Sequence, residues 1–151
     1  MDILILNGAN LNLLGKREPV IYGDVSMEEF LEILQQEYIS IRFDCFQSNV
    51  ESVLVEKIQQ AESQYQGIII NAGGFTHTSV AISDAIRAIC IPVVEVHISN
   101  IFSRESYRRK SYLSEVCVGS ICGFGLNSYR LAIEGLLSIR SRFRQESCLS
   151  D

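Results

Sequence analysis

The sequence predicts an α/β fold: a doubly wound, five-stranded parallel sheet of order 2-1-3-4-5 with helices on both faces. Three observations carry this. Short apolar runs alternate with helix-patterned segments from one end of the chain to the other, the pattern of successive β-α units. The third run, GIIIN at 67–71, is apolar without alternation, as a strand covered on both faces requires. The length of 151 residues, with 47% hydrophobic and 21% charged, suits five such units around a full core.

Residues 2–7 (DILILN) form the first strand, closed by Asn7-Gly8. Ser26-Met27-Glu28-Glu29 has the form of a capping box, and Phe30, Leu31, Ile33 and Leu34 follow at helical spacing. Residues 41–48 alternate and read as the second strand. Residues 50–65 place Val53, Leu54, Ile58 and Ala61 on one helical stripe. After the third strand come a helix at 79–89, a strand at 92–99 and at most a short turn at 107–111. Residues 116–121 (VCVGSI) read as the fifth strand, and a long helix from 126 to about 144 closes the chain. No repeat, linker or composition break suggests a second domain, so residues 1–151 are expected to form one domain with the flavodoxin-like strand order.

Composition narrows the function. The longest apolar runs, such as Ile68-Ile69-Ile70, fall far short of the roughly 18 residues a membrane span needs. Asp2 stands where a signal peptide would be basic, so a cytoplasmic location is expected. A net charge of −5 argues against nucleic acid as the main partner. Positive charge is nonetheless clustered, at Arg104, Arg108, Arg109 and Lys110 and again at Arg140, Arg142 and Arg144. An acidic chain with local basic clusters suits a small anionic ligand. The five cysteines form no C-x-x-C pair; Cys45, Cys90, Cys117 and Cys122 lie within apolar runs and read as small buried hydrophobes in a reducing compartment. No Cys/His cluster has metal-ligand spacing, so no metal is expected; no cofactor is expected either.

In open doubly wound sheets, ligands bind beyond the carboxyl ends of the strands near the switch in strand order. The segments there are unusually polar. After strand one runs NGANLNLLGKREPVIYG, long for a βα connection, from which asparagines, Arg17 and Tyr22 can converge on one ligand. A tyrosine is a poor base at neutral pH, but a guanidinium beside it favours the phenolate, so Arg17 and Tyr22 can supply a base. Strand three ends in NAGGFTHTS; Thr78 and Ser79 read as helix caps, and His77 at the helix mouth as a ligand contact.

Strand four carries the strongest signal. In VVEVHIS, Glu95, His97 and Ser99 share one face, because strand side chains alternate. A central parallel strand should be apolar on both faces, so an acid and a histidine there need a reason. A carboxylate beside an imidazole fixes its tautomer and raises its proton affinity, making a general acid near neutral pH. The other reading is a buried ion pair kept for structure. In RESYRRKS, Arg108 can act as a lid arm reaching a carboxylate, while Arg109 and Lys110 read as a solvated turn. Asp84 reads as a surface partner for Arg87 or a neighbouring basic group.

Taken in order, NGANLNLLGKREPVIYG, FQSNVES, IIINAGGFTHTSVAI, VVEVHISN and RESYRRKS resemble the type II 3-dehydroquinate dehydratases over nearly the whole chain. The resemblance implies dehydration of 3-dehydroquinate to 3-dehydroshikimate in the shikimate pathway, with no metal and no covalent intermediate. It implies that Tyr22 takes the C2 proton, that Arg17 holds Tyr22 as phenolate, and that a water on Asn12 stabilises the enolate, with Asn10 in support. It further implies that His97, oriented by Glu95, protonates the departing C1 hydroxyl. Asn71, His77, Ser99 and the Ile98 backbone match ligand-binding positions, and Arg108 matches a lid arginine on a substrate hydroxyl. The carboxylate then falls to backbone N–H groups and Ser99. Asp84 matches a position that reaches a neighbouring subunit's site, implying trimers assembled into a dodecamer.

Departures from the pattern are few. Ala9 replaces a more usual proline, Gly74-Phe75 stands where alanine-tyrosine is common, and Val50-Glu51-Ser52 departs after Ser48-Asn49. Two rival classes remain to weigh. A flavin-binding module predicts flanking aromatics and a hydroxyl-rich loop after strand one, but that loop carries Asn, Arg and Tyr, and the chain has no tryptophan. A receiver-type signalling domain needs acids at the ends of strands one and three, where Asn7 and Asn71 stand.

Overall fold

The computed structural model describes residues 1–16 and 25–147, with backbone alone from residue 140 onward. Five strands form one parallel sheet: β1 (Asp2–Asn7), β2 (Arg42–Gln47), β3 (Gly67–Asn71), β4 (Val93–His97) and β5 (Gly119–Cys122). Their order is β2-β1-β3-β4-β5, as the alternating pattern predicts. Four helices cover the sheet: α1 (Met27–Glu37), α2 (Glu51–Ala61), α3 (Val80–Arg87) and α4 (Asn127–Ser147).

Side-chain alternation divides the core in two. Ile3, Ile5, Ile69, Val94 and Val96 face α1 and α4, where Phe30, Leu34, Ile133 and Leu136 pack on them. Leu4, Leu6, Ile68, Ile70 and Val93 face α2 and α3, meeting Leu54, Ile58, Ile82 and Ile86. Every residue of β3 is buried, which explains its unbroken apolar run.

Local chemistry starts the helices where the sequence places them. The Ser26 hydroxyl accepts from the Glu29 N–H at 3.2 Å, and the Glu29 carboxylate accepts from the Ser26 N–H at 2.9 Å, closing the capping box. Ser79 caps α3 by accepting from the Ile82 N–H at 2.9 Å. Gly8 is required by a crossing: a Cβ there would lie 2.2 Å from the Ala72 carbonyl oxygen. The Gly8 N–H instead donates to the Asn71 carbonyl at 2.7 Å, tying the ends of β1 and β3 together.

Some boundaries differ from expectation. α2 ends at Ala61, not near residue 65, and the Tyr65 hydroxyl leaves the helix stripe to donate to Asp44 at 2.8 Å. β4 stops at His97, so Ile98 and Ser99 lie past the strand. β5 is shorter and later than 116–121, because the Val116 and Cys117 N–H groups turn back to the Leu113 carbonyl. The chain joins the sheet only when the Val118 N–H reaches Val93. The short turn expected at 107–111 is the 3-10 turn Ser106–Arg109, and a second 3-10 turn that the sequence reading does not include, Ile101–Ser103, precedes it.

The cysteines are less deeply buried than their apolar neighbours suggest. Cys90 is exposed and Cys45, Cys117 and Cys122 are half-buried. Cys90 follows the end of α3 in a loop, which the apolar residues around it do not carry into the core. Desolvation still pushes the thiols up, to about 11 at Cys45 and about 12 at Cys117, so neither is a ready nucleophile. Cys148 lies outside the described residues. Among the described residues, no helix is long and apolar enough to cross a membrane.

Candidate active site

A cavity of about 150 Å³ opens at the carboxyl ends of β1, β3 and β4, where the switch in strand order places it. Its walls come from short segments that follow β1, β3 and β4. Ala9, Asn10, Leu11, Leu13 and Leu14 follow β1, and Asn71, Gly73, Gly74 and His77 follow β3. His97 ends β4, Ile98, Ser99 and Ile101 continue from it, and Arg104 and Arg108 complete the rim.

Beneath it lies a buried, four-fold hydrogen-bonded carboxylate, that of Glu95. The Glu95 side chain is 1% exposed. Thr76 and Ser111 hydroxyls each donate to its Oε1 at 2.7 Å, and the Ser120 hydroxyl donates to Oε2 at 2.7 Å. His97 Nε2 meets Oε1 at 2.9 Å. Burial by itself would raise the Glu95 pKa, but the hydrogen bonds from His97, Ser111 and Thr76 and the His97 charge outweigh it and bring it down to about 2. An ionised carboxylate can only accept, so His97 donates through Nε2, and Nδ1 is the nitrogen left for a ligand.

His77 is arranged the same way in mirror. Its Nδ1 lies 2.6 Å from the Lys110 carbonyl, which only accepts, so Nδ1 carries the proton and Nε2 has no hydrogen-bond partner among the described residues. The two imidazoles lie nearly parallel, 14° apart with centroids at 6.3 Å. The cavity thus presents one imidazole nitrogen from each ring and two guanidinium groups, a set suited to an anion bearing hydroxyls. Arg104 donates to the Ser99 hydroxyl at 3.4 Å, and Arg108 is held by Glu105 at 2.8 Å.

A second network fixes the strand ends. The fully buried Tyr129 hydroxyl donates to Asn7 Oδ1 at 2.9 Å and accepts from Asn71 Nδ2 at 3.1 Å. Asn71 Oδ1 accepts from the Gly73 N–H at 3.2 Å, so both ends of its carboxamide are oriented.

Of the residues singled out by sequence, Asn10, Asn71, His77, His97, Ile98, Ser99 and Arg108 line the cavity, with Glu95 directly under it. Asn12 does not join them. The 3-10 turn Leu11–Leu13 advances about 120° per residue, so Asn10 and Asn12 point to different sides. Asn12 lines a second cavity of about 290 Å³ with Asn7, Glu28, Cys45 and Gln47, beyond a partition of Leu11 and Leu14. Asp84 is exposed on α3, lines neither cavity, and makes no ion pair with Arg87 among the described residues. Arg17 and Tyr22 lie outside the described residues, as do the side chains of Arg140, Arg142 and Arg144.

Sequence reasoning missed Thr76, Ser111, Ser120 and Tyr129. Thr76 sits in the quoted NAGGFTHTS run, but nothing in the run shows that its hydroxyl turns to the next strand. Among the described residues, no group of three or more His, Cys, Asp and Glu side chains is placed to hold a metal ion.

Fold and site together define an α/β protein with a polar cavity over a buried carboxylate–imidazole pair at the switch point of a parallel sheet. Comparison with known proteins makes this specific. A profile described as dehydroquinase class II matches residues 1–137, and the chain belongs to that family. It is 54% identical over 140 residues to a 3-dehydroquinate dehydratase of Synechococcus sp. (strain CC9605), covering 91% of this chain and 96% of the relative. It is 53% identical over 146 residues to that of Gloeothece citriformis (strain PCC 7424), covering 95% and 94%. The crystal structure of the type II dehydroquinase from Butyrivibrio crossotus superposes with TM-score 0.86 at 44% identity, over 90% of this chain and 97% of that one.

Proposed function

We propose that the cavity dehydrates 3-dehydroquinate to 3-dehydroshikimate by anti elimination through an enolate, within one catalytic domain spanning residues 1–151. The activity is that of a hydro-lyase of the shikimate pathway, a type II 3-dehydroquinate dehydratase. One observation supports the division of labour best: Glu95, held ionised at the base of the cavity, bonds His97 Nε2 and leaves Nδ1 available.

Tyr22 as phenolate, favoured by the Arg17 guanidinium, takes the C2 proton. The electron pair moves onto the carbonyl oxygen as an enolate, stabilised through a water on Asn12 with Asn10 in support. The enolate collapses, the C1–O bond breaks, and protonated His97 gives its proton to the leaving hydroxyl, which departs as water. Glu95 stabilises the imidazolium before that transfer and orients the ring throughout. Asn71, His77, Ser99 and the Ile98 backbone hold the substrate, with Arg108 closing over a hydroxyl once it leaves Glu105. Asn12 can serve this role only if the Leu11–Leu14 partition rearranges, since it lines the neighbouring cavity in this conformation.

The exposed position of Asp84 fits a contact made to a neighbouring subunit's site, and we propose a homo-oligomer of trimers assembled into a dodecamer in the cytoplasm. Light scattering on the purified protein tests the assembly; a monodisperse monomer refutes it. The reaction is tested by following enone absorption on addition of 3-dehydroquinate. Tyr22→Phe is expected to abolish turnover while substrate binding persists. No turnover by the wild type overturns the reaction, and a near-normal rate in Tyr22→Phe overturns the base.

A further inference from the structure

The Glu95 carboxylate is held unevenly. Thr76, Ser111 and His97 all meet Oε1, while among the described residues Ser120 is the only donor to Oε2. A carboxylate turns about its last C–C bond, and three donors converging on one oxygen leave that rotation to be set by whatever holds the other. Ser120 is placed to do so by the sheet itself: the parallel register pairs Glu95 with Ser120 across β4 and β5, which puts both side chains on one face. The hydroxyl then closes on Oε2 at 2.7 Å. It also stands between the carboxylate and solvent, since β5 is the edge strand and Ser120 is exposed while Glu95 is 1% exposed.

We propose that Ser120 is a positioning residue for the reaction: through Oε2 it sets the plane and charge distribution of the Glu95 carboxylate, and thereby how strongly Oε1 holds the His97 imidazolium. A hydroxyl donating to Oε2 draws negative charge toward that oxygen and away from Oε1. Removing it leaves Oε1 more basic, so His97 holds its proton more tightly and releases it less readily to a leaving group. The other charged or titratable groups around the pair are His77, Arg104, Arg108, Cys117 and Cys122, and none of them bonds Oε2 among the described residues.

The catalytic consequence rests on the dehydratase reading, but the effect on His97 does not, so the test has two arms. The chain has two histidines, and cleavage at Arg87 separates them into different tryptic peptides. Exchange of the imidazole C2 hydrogen, followed by mass spectrometry on the intact assembly across pH, therefore titrates each ring separately. In Ser120→Ala the His97 midpoint is expected to rise by roughly 0.3–1 pH unit, a twofold to tenfold gain in proton affinity, with His77 unmoved. Ser120→Thr, which keeps a hydroxyl and suits a strand, is expected to restore the wild-type midpoint. In steady-state kinetics Ser120→Ala is expected to lose roughly twofold to tenfold in kcat with KM nearly unchanged, and its alkaline limb to move up with His97. An unchanged His97 midpoint in Ser120→Ala, or a Ser120→Thr enzyme that behaves like Ser120→Ala, overturns the proposal. A wild type without turnover would sink the proposed reaction and leave the exchange arm to decide Ser120.

Discussion

Replacing Tyr129 by phenylalanine removes one oxygen and leaves every carbon in place, so its effect isolates the network that joins the ends of β1 and β3. The ring would keep its edge-on contact with Phe30, whose centroid lies 5.8 Å away. What disappears is a hydroxyl that donates to Asn7 and accepts from Asn71 at 2.9 and 3.1 Å. All three residues are at most 4% exposed, so water does not readily take its place. Each lost hydrogen bond costs about 1 kcal/mol net, and the two amide groups left without a partner add part of their desolvation cost, for about 2–4 kcal/mol together. A domain of this size shifts by roughly 2–4 °C per kcal/mol, which predicts a fall in Tm of roughly 5–15 °C. The assay is thermal unfolding followed by circular dichroism, with both proteins at one concentration because assembly shifts apparent stability. A second readout is KM, expected to rise as the Asn71 carboxamide loses one of its two anchors. If Tm falls by less than about 2 °C, the hydroxyl is not holding the two asparagines and the reasoning fails.

Two further predictions follow from the geometry. The Glu95 pKa is about 2 when folded against an ordinary 4.5, so the carboxylate stabilises the fold fully above about pH 5, and that stabilisation is lost as pH falls from there toward 2. The expected loss is about 2 kcal/mol between pH 6 and 3, out of about 3 kcal/mol in all once the group is fully protonated. Urea midpoints of wild type and Glu95→Gln between pH 6 and 3 measure it, and two parallel slopes would show that Glu95 is not the group responsible. Gly8→Ala places a Cβ 2.2 Å from the Ala72 carbonyl and must separate the ends of β1 and β3, costing about 3 kcal/mol or more in thermal unfolding. Gly74→Ala, with nothing within 4 Å of the added carbon, is the matched control and is expected to change Tm little. Equal Tm values for the two variants would refute the crossing argument.

Much of the fold was readable because it depends on short-range pattern. The capping box at Ser26 and Glu29, the unbroken apolar β3 and the alternation that puts Glu95 and His97 on one face each involve neighbours within a turn or a strand. The sheet order followed from those elements because parallel β-α units have few ways to wind. The cysteines were misjudged for the converse reason: apolar neighbours in sequence do not say which positions a loop leaves at the surface, as at Cys90.

The sequence by itself determined the order of the elements, the switch point and several of the polar residues that line the cavity there. Only the tertiary structure decided what those residues lean on. Tyr129 reaches Asn71 and Asn7 across 58 and 122 positions of chain, and Ser120 meets Glu95 across 25. A 3-10 turn parted Asn10 from Asn12, which sequence had grouped together. The physical reason is the same in each case. Periodicity fixes which way a side chain faces along its own element, but a partner on another element depends on strand register and helix placement, which only the packed sheet sets.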